Sequence, residues 1–250
     1  AWKLFEGDCL EVMPLEIEDK SIDMILCDLP YGTTACKWDT VIPFKDLWRE
    51  YERVIKEGGA IVLTASQPFT SVLVNSNLKW FRYEWIWKKS NGGGFLNANR
   101  QPLKRHENIL NLAMTDNLQP PMTKGKSYTC RSSSAGETTH DQTVAGWITE
   151  NDGLRYPISH LKFSNDTGLH PTQNLLNSLN TNKNYTNEGD LILDNCAGSG
   201  TTGVACEITN RNSILIEKEP EYCEVIKKRL SEINLEQYQP QRTHKPLTAF

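Results

Sequence analysis

A doubly wound α/β domain with a mostly parallel sheet is what this chain predicts, and three observations carry the prediction. Ile22, Met24, Ile25 and Leu26 form an apolar run that ends at Asp28, and Ala60-Ile61-Val62-Leu63 forms a second one behind Gly58-Gly59. Between them Leu47, Trp48, Tyr51, Val54 and Ile55 recur at helical spacing, so the segment reads as strand, helix, strand. Far along the chain Leu191-Ile192-Leu193-Asp194 runs into Asn195-Cys196-Ala197-Gly198-Ser199-Gly200-Thr201-Thr202. An apolar strand followed by a glycine-rich turn and a helix is where such a sheet receives a nucleotide-like ligand.

The remaining elements follow in order. Tyr83-Glu84-Trp85-Ile86-Trp87 alternates and predicts a strand, with His106–Leu112 as the next. From about Met114 to Thr167 the chain is rich in Ser, Thr, Gly, Asn and Pro without a sustained period, which reads as an insert or a set of loops. After the glycine turn a helix runs through Val204 and Ile208, and Ser213–Glu217 is a strand. Pro220 opens a helix whose expected buried face is Tyr222, Val225, Ile226 and Leu230. The tail after Leu235 is polar and peripheral.

Composition narrows the class. With 38% hydrophobic and 23% charged residues over 250 positions, the chain fits one large soluble domain or a domain with an insert. No apolar run approaches the roughly 20 residues that cross a bilayer, and Ala1–Glu6 lacks a signal-peptide pattern. The seven cysteines form no CxxC pair and no Cys/His ligand spacing. We therefore expect reduced thiols, no metal site and a cytoplasmic location. Net charge is −4, but it is unevenly spread. Residues 1–78 hold seven basic and thirteen acidic side chains, whereas 79–131 hold ten basic and three acidic. A basic middle in an acidic chain suits an anionic partner.

The glycine turn lacks the G-x-G-x-x-G spacing of dinucleotide sites and the Gly-Lys-Ser/Thr of a phosphate loop, so neither a dinucleotide nor a triphosphate is favoured. Glu217, about twenty residues on at the end of the next strand, suits two ribose hydroxyls.

Asp28-Leu29-Pro30-Tyr31 resembles the D-P-P-Y motif of amino-group DNA methyltransferases, and Asp194–Thr202 resembles their S-adenosylmethionine loop. The catalytic motif precedes the cofactor motif, the permuted order of the β group. The resemblance spans about Leu4–Leu112 and His170–Leu230. It implies a Rossmann-like methyltransferase whose cofactor is S-adenosylmethionine. Asp194, Ala197, Gly198, Ser199 and Gly200 would then surround the methionine part, with Thr201 and Thr202 near its carboxylate and Glu217 on the ribose. His170 and Thr172, in His170-Pro171-Thr172-Gln173, match an H-P-T-Q element beside the same tail. Asp8 and Cys9, in Gly7-Asp8-Cys9-Leu10, match the segment whose acid meets the adenine amino group. Three departures stand out: Leu29 in place of Pro, Asn195-Cys196 in place of Pro-Phe, and Asn174 in place of Lys.

Chemistry explains the tetrapeptide. An exocyclic amine on a base is a poor nucleophile because its lone pair is delocalised into the ring. Two acceptors against its two hydrogens favour a tetrahedral nitrogen and free that pair. The Asp28 carboxylate and the Leu29 carbonyl would supply them, Pro30 would set the turn, and Tyr31 would offer a face for an extruded base. Asp at the first position favours adenine N6, with cytosine N4 as the alternative, and no Pro-Cys dipeptide is present for C5-cytosine chemistry. Methylation of RNA or protein amides, and a DNA-binding module without activity, are weaker readings.

On this reading residues 1–112 are the catalytic half of the domain, 113–167 a target-recognition insert, 168–235 the cofactor half and 236–250 a peripheral tail. Double-stranded DNA is the expected partner, with Lys88, Lys89, Arg100, Lys104, Arg105, Lys124, Lys126 and Arg131 meeting its phosphates. The Asn91-Gly92-Gly93-Gly94-Phe95 segment reads as a loop able to move when DNA binds. A second copy of the chain and a cognate restriction endonuclease are further partners the resemblance brings in. The setting is the cytoplasm of a bacterial or phage-infected cell, with no membrane role.

Overall fold

The computed structural model describes residues 1–33, 36, 39–114, 122–131, 136–137, 142–143, 148–162 and 185–233. In order these form β1 (Trp2–Glu6), α1 (Cys9–Glu16), β2 (Ile22–Asp28), α2 (Phe44–Val54), β3 (Ile55–Ala65), α3 (Phe69–Ser76), β4 (Phe81–Gly93) and β5 (Lys104–Leu112). There follow short strands β6 (Thr123–Lys124), β7 (Tyr128–Arg131), β8 (Gly136–Glu137), β9 (Gln142–Thr143), β10 (Ile148–Asn151), β11 (Leu154–Arg155) and β12 (His160–Lys162). The last elements are β13 (Leu191–Asp194), α4 (Thr201–Ile208), β14 (Asn212–Glu217) and α5 (Pro220–Ser231).

The chain divides into two compact units, one of residues 1–118 with 159–250 and one of 119–158. The first is built on an eight-stranded sheet in the order β1-β14-β13-β2-β3-β5-β4-β12. Pairings from β1 through β3 are parallel, β5 lies antiparallel to both β3 and β4, and β12 returns parallel to β4. The second consists, among the described residues, of the antiparallel pairs β7–β10, β6–β11 and β8–β9.

What positions the site is the order at the centre. β2 leads through α2 to β3 on one side, and β13 leads through α4 to β14 on the other. The two chains of connections diverge between β2 and β13, which pair as Ile192 with Met24 and Leu193 with Ile25. A crevice opens at the carboxyl ends of strands where winding reverses in this way. Asp28 and Asp194 end those two strands.

The strands at the centre are buried on both faces, as a parallel sheet requires: Ile22, Met24, Ile25, Ile61, Val62, Leu63, Ile192 and Leu193 are fully enclosed. α2 lays Leu47, Trp48, Tyr51 and Val54 on one of those faces. Buried Glu50 on the same helix is neutralised by Arg53 at 2.9 Å.

Several expectations change. Ile55, read with the helix, is the first residue of β3 and pairs with Ile22. The Asn91–Phe95 segment is not all loop, because β4 continues to Gly93, which pairs with Lys104. A Cβ on Gly92 would stand 3.0 Å from that of Leu103, so a glycine lets the two arms approach. On α5 the buried face is Cys223, Ile226 and Leu230, while Tyr222 and Val225 are 37% and 40% exposed. Tyr222 turns instead to the mouth of the central cavity.

Candidate active site

A cavity of about 580 Å³ opens at the carboxyl ends of β2, β13 and β14, within the size range of cofactor sites. Asp8, Cys9, Asp28, Leu29, Pro30 and Tyr31 line it together with Asp194, Ala197, Gly198, Ser199, Thr201, Thr202 and Glu217. Gly200 is the exception. It turns at φ +76° behind the wall, where a Cβ would meet Ile226 at 2.9 Å, so only glycine suits both the turn and the packing of α5. His170, Thr172 and Asn174 lie outside the described residues.

At the end of β2 side chains gather around Asp28. Oδ1 of Asp28 accepts hydrogen bonds from the Tyr31 hydroxyl at 2.6 Å and from the Thr64 hydroxyl. Thr64 stands there because β2 and β3 pair Asp28 with Thr64. The Tyr31 ring stacks on Phe69, with centroids 5.0 Å apart and planes 24° from parallel. Burial first, then the Asp28 charge, raises the Tyr31 phenol well above its ordinary value, so it stays a neutral donor. Beyond Tyr31 the backbone N–H groups of Gly32 and Thr33 donate to the Asp39 carboxylate at 2.7 and 2.9 Å, which curls the chain back over the cavity. The Leu29 side chain is buried in the core.

At the ends of β13 and β14 backbone amides are the donors. The carboxylate of Glu217, itself buried, accepts from Gly198 N–H at 2.6 Å and from Glu219 N–H at 2.8 Å. Ala197 N–H reaches the Ile216 carbonyl at 2.9 Å. Asn195, where the resemblance has Pro, is buried and accepts at 2.6 Å from the Tyr51 hydroxyl of α2. That bond ties the loop to the opposite half of the sheet. Arg229 of α5 donates to the Ser199 carbonyl and, at 2.9 Å, to its hydroxyl. Asp8 caps α1 through Leu10 N–H at 3.0 Å, with its other oxygen 3.7 Å from Lys218.

Asp194 closes the floor. Burial raises its carboxyl to about 6, opposed by hydrogen bonds from the Thr202 hydroxyl and the Cys196 N–H. Cys9, Cys27 and Cys196 meet beside it. Burial pushes the Cys27 thiol up to about 12. A hydrogen bond with Cys196 and then burial raise Cys9. These thiols are neutral and pack as small apolar groups, not as nucleophiles. All seven cysteines are free.

The basic residues divide. Lys88, Arg100 and Arg105 are exposed on or beside the β4–β5 hairpin. Lys89 is held by Glu107 and lies 5.1 Å over the Trp87 ring, so its charge is already partnered. Lys104 donates to the Ser66 hydroxyl. Lys124, Lys126 and Arg131 are exposed on the second unit.

Sequence reasoning missed Thr64, Asp39 and Tyr51. Thr64 and Tyr51 act on residues of other strands or loops, and Asp39 acts within its own β2–α2 connection through backbone amides that no sequence motif marks.

The DNA methylase family model for N6/N4 methyltransferases matches residues 22–228. The chain belongs to that family. It is similar to the Type II methyltransferase M.HpaI of Haemophilus parainfluenzae, 29% identical over 87% of this chain and 71% of that protein. It is also similar to the Type II methyltransferase M2.MboI of Moraxella bovis, 27% identical over 93% of this chain and 88% of the other. Among solved structures, the M1.HpyAVI–SAM complex superposes with a TM-score of 0.56 at 21% identity, covering 92% of this chain and 99% of that one. The PvuII cytosine-N4-specific DNA methyltransferase superposes with a TM-score of 0.62 at 14% identity, covering 95% and 89%. These last two likenesses are of fold. The methylase is thus a DNA methyltransferase of the N6/N4 type. Among its described residues no helix is long and apolar enough to cross a membrane.

Proposed function

We propose that the protein moves a methyl group from S-adenosylmethionine to N6 of an adenine turned out of double-stranded DNA, with cytosine N4 as the alternative target. The observation that carries this reading is the meeting, in one cavity, of the Asp28 carboxylate and the Asp194–Thr202 loop, at the ends of two paired strands. The cavity fits the cofactor. Its loop offers backbone amides, Glu217 is a buried carboxylate beside the place a ribose would take, and Asp194 is an acid suited to a cationic methionine part. When bound, S-adenosylmethionine supplies an electrophilic methyl carbon.

The chain's own groups do the rest. Tyr31 and Thr64 occupy Oδ1 of Asp28, so Oδ2 is left to accept one amine hydrogen, while the Leu29 carbonyl accepts the other. These two acceptors free the nitrogen lone pair from the ring and aim it at that methyl carbon, whose transfer would release the cofactor's sulfur as a neutral thioether. Charge on nitrogen is relieved by loss of a proton toward Asp28. Tyr31, backed by Phe69, presents its remaining face to the base. Rate comes from positioning and fixed dipoles, with no covalent enzyme intermediate.

Adenine is preferred because Asp opens the tetrapeptide, where Ser is commoner in cytosine-N4 enzymes. Phosphate contacts fall to Lys88, Arg100, Arg105, Lys124, Lys126 and Arg131, and residues 113–167 read the target. A second copy of this chain and a cognate restriction endonuclease complete the proposed partners. Labelled S-adenosylmethionine is incubated with unmethylated genomic DNA, which is then digested to nucleosides. Label in N6-methyladenine supports the reading, label in N4-methylcytosine replaces the base, and no label rejects it.

A further inference from the structure

The β4–β5 hairpin does not stop at the edge of the sheet. β3 ends at Ala65, opposite Asn108 of β5. β5 continues outward to Lys104, four residues beyond Asn108, still paired with β4 through His106–Lys88 and Lys104–Gly93. At about 3.4 Å per residue this is an overhang of roughly 13 Å. It projects from the edge that carries Asp28, because Asp28 pairs with Thr64 one residue before the end of β3. The ribbon is braced by the Lys89–Glu107 ion pair and by Lys104, whose ammonium reaches Ser66 and the Gln67 carbonyl just past that strand end.

At its tip, after Gly94 turns at φ +84°, a single helical turn holds Phe95 and Leu96. Phe95 is 79% exposed and Leu96 fully so. Two large apolar side chains side by side on an outstretched ribbon bury nothing in this structure. Exposed cations accompany them: Lys88, Arg100 and Arg105 lie on the ribbon or its turn. A second copy of the chain is a poor occupant, since two such ribbons would bring like charges together. Duplex DNA satisfies both features, with phosphates for the cations and an apolar base stack for the tip.

We infer that Phe95 and Leu96 form a wedge that enters the duplex beside the target and takes up the stacking that the extruded base gives up. This rests on the DNA-methyltransferase reading and adds the device that opens the duplex. The apolar wedge offsets the cost of opening the duplex, which pairing and stacking set together, so its removal is felt most where the target is paired as well as stacked.

The test uses a duplex carrying the site mapped from methylated genomic DNA, in two forms: fully paired, and with an abasic residue opposite the target base. Parent and the Phe95→Ser/Leu96→Ser double variant are compared by kcat/KM on each. The expected result is a roughly 10- to 100-fold loss on the paired duplex and a value within about threefold of the parent on the abasic one. Equal activity of variant and parent on the paired duplex overturns the wedge. So does an equal loss on both duplexes, which would assign the tip to general binding or to the fold. A parent dimer that the variant converts to monomer, without the paired-versus-abasic difference, assigns the tip to self-association and also overturns it. Failure of the parent to methylate either duplex is a different result, and strikes the methyltransfer reading itself.

Discussion

At the end of β13 the chain is held mainly by its backbone, through amide donors from Gly198, Ala197 and Cys196 to groups of the neighbouring strand and its own. At the end of β2, a few ångströms of sheet away, the work falls to side chains: Thr64 and Tyr31 converge on Asp28, and Asp39 gathers the turn beyond. The difference matches what each end must do. A cofactor loop must keep one shape through every cycle, and backbone amides fixed by the turn supply it by meeting the buried carboxylates of Asp194 and Glu217 and the Ile216 carbonyl. A catalytic carboxylate needs one oxygen held and one oxygen available, which hydroxyl donors on a single atom achieve. Substitutions at the β13 end should therefore cost affinity and stability together, and those at the β2 end should cost turnover.

The strongest separation is expected of Asp28→Ala. Transfer should vanish while cofactor affinity stays within about tenfold, or 1.4 kcal/mol. Turnover preserved at saturating cofactor would remove Asp28 from its role. Next comes Glu217→Ala, which leaves the amides of Gly198 and Glu219 without their acceptor and removes the proposed ribose contact. Calorimetry should show a loss of cofactor affinity of roughly 10- to 100-fold with a lower Tm, on the scale of a charge-assisted hydrogen bond. A variant as stable and as tight as the parent would break the comparison.

Tyr51→Phe touches neither ligand. It leaves the buried amide oxygen of Asn195 without the Tyr51 donor, which should cost about 1–3 kcal/mol in denaturant unfolding. Cofactor affinity should follow it downward if the loop's shape depends on this tie, whereas kcat at saturation should hold. Thr64→Val is expected to lower kcat by roughly three- to tenfold, the worth of one hydrogen bond, with KM for cofactor unchanged. Thr64→Ser should restore most of it. A serine variant as slow as the valine one would mean that Thr64 serves packing only.

The smallest effect concerns pH. Asp194 sits at about 6, above its unfolded value, so its protonated form contributes stability that is full below about pH 4 and is lost as pH rises through about 6. Binding of a cationic cofactor has the opposite sense, because it needs the ionised acid. Affinity should weaken as pH falls below about 6, and Asp194→Asn should flatten that step. A titration by calorimetry that shows the same slope in both proteins would place the ionisation elsewhere.

Much of the scaffold was legible in one dimension because its signals are local. Apolar runs of strand length, helical spacing from Leu47 to Val54 and a glycine turn behind Leu193-Asp194 depend only on neighbours along the chain. The resemblance to amino-group DNA methyltransferases paired the tetrapeptide with the loop, and both line the same cavity. The errors were local too. Ile55 and Gly93 sit at element boundaries, where a few residues either way satisfy the same pattern, and Tyr222 lies beside a helical stripe that could be drawn through either face.

What the sequence by itself determined was an α/β sheet, two strand-end motifs and the residue types needed to move a methyl group to a base amine. Tertiary structure decided which groups those motifs meet. Thr64 reaches Asp28 only through the register of β2 with β3, Tyr51 reaches Asn195 across 144 residues of chain, and the exposure of Phe95 and Leu96 follows from how far a ribbon outruns its sheet. Strand pairing and burial are long-range quantities, set by which surfaces find one another, and no short window of sequence contains them.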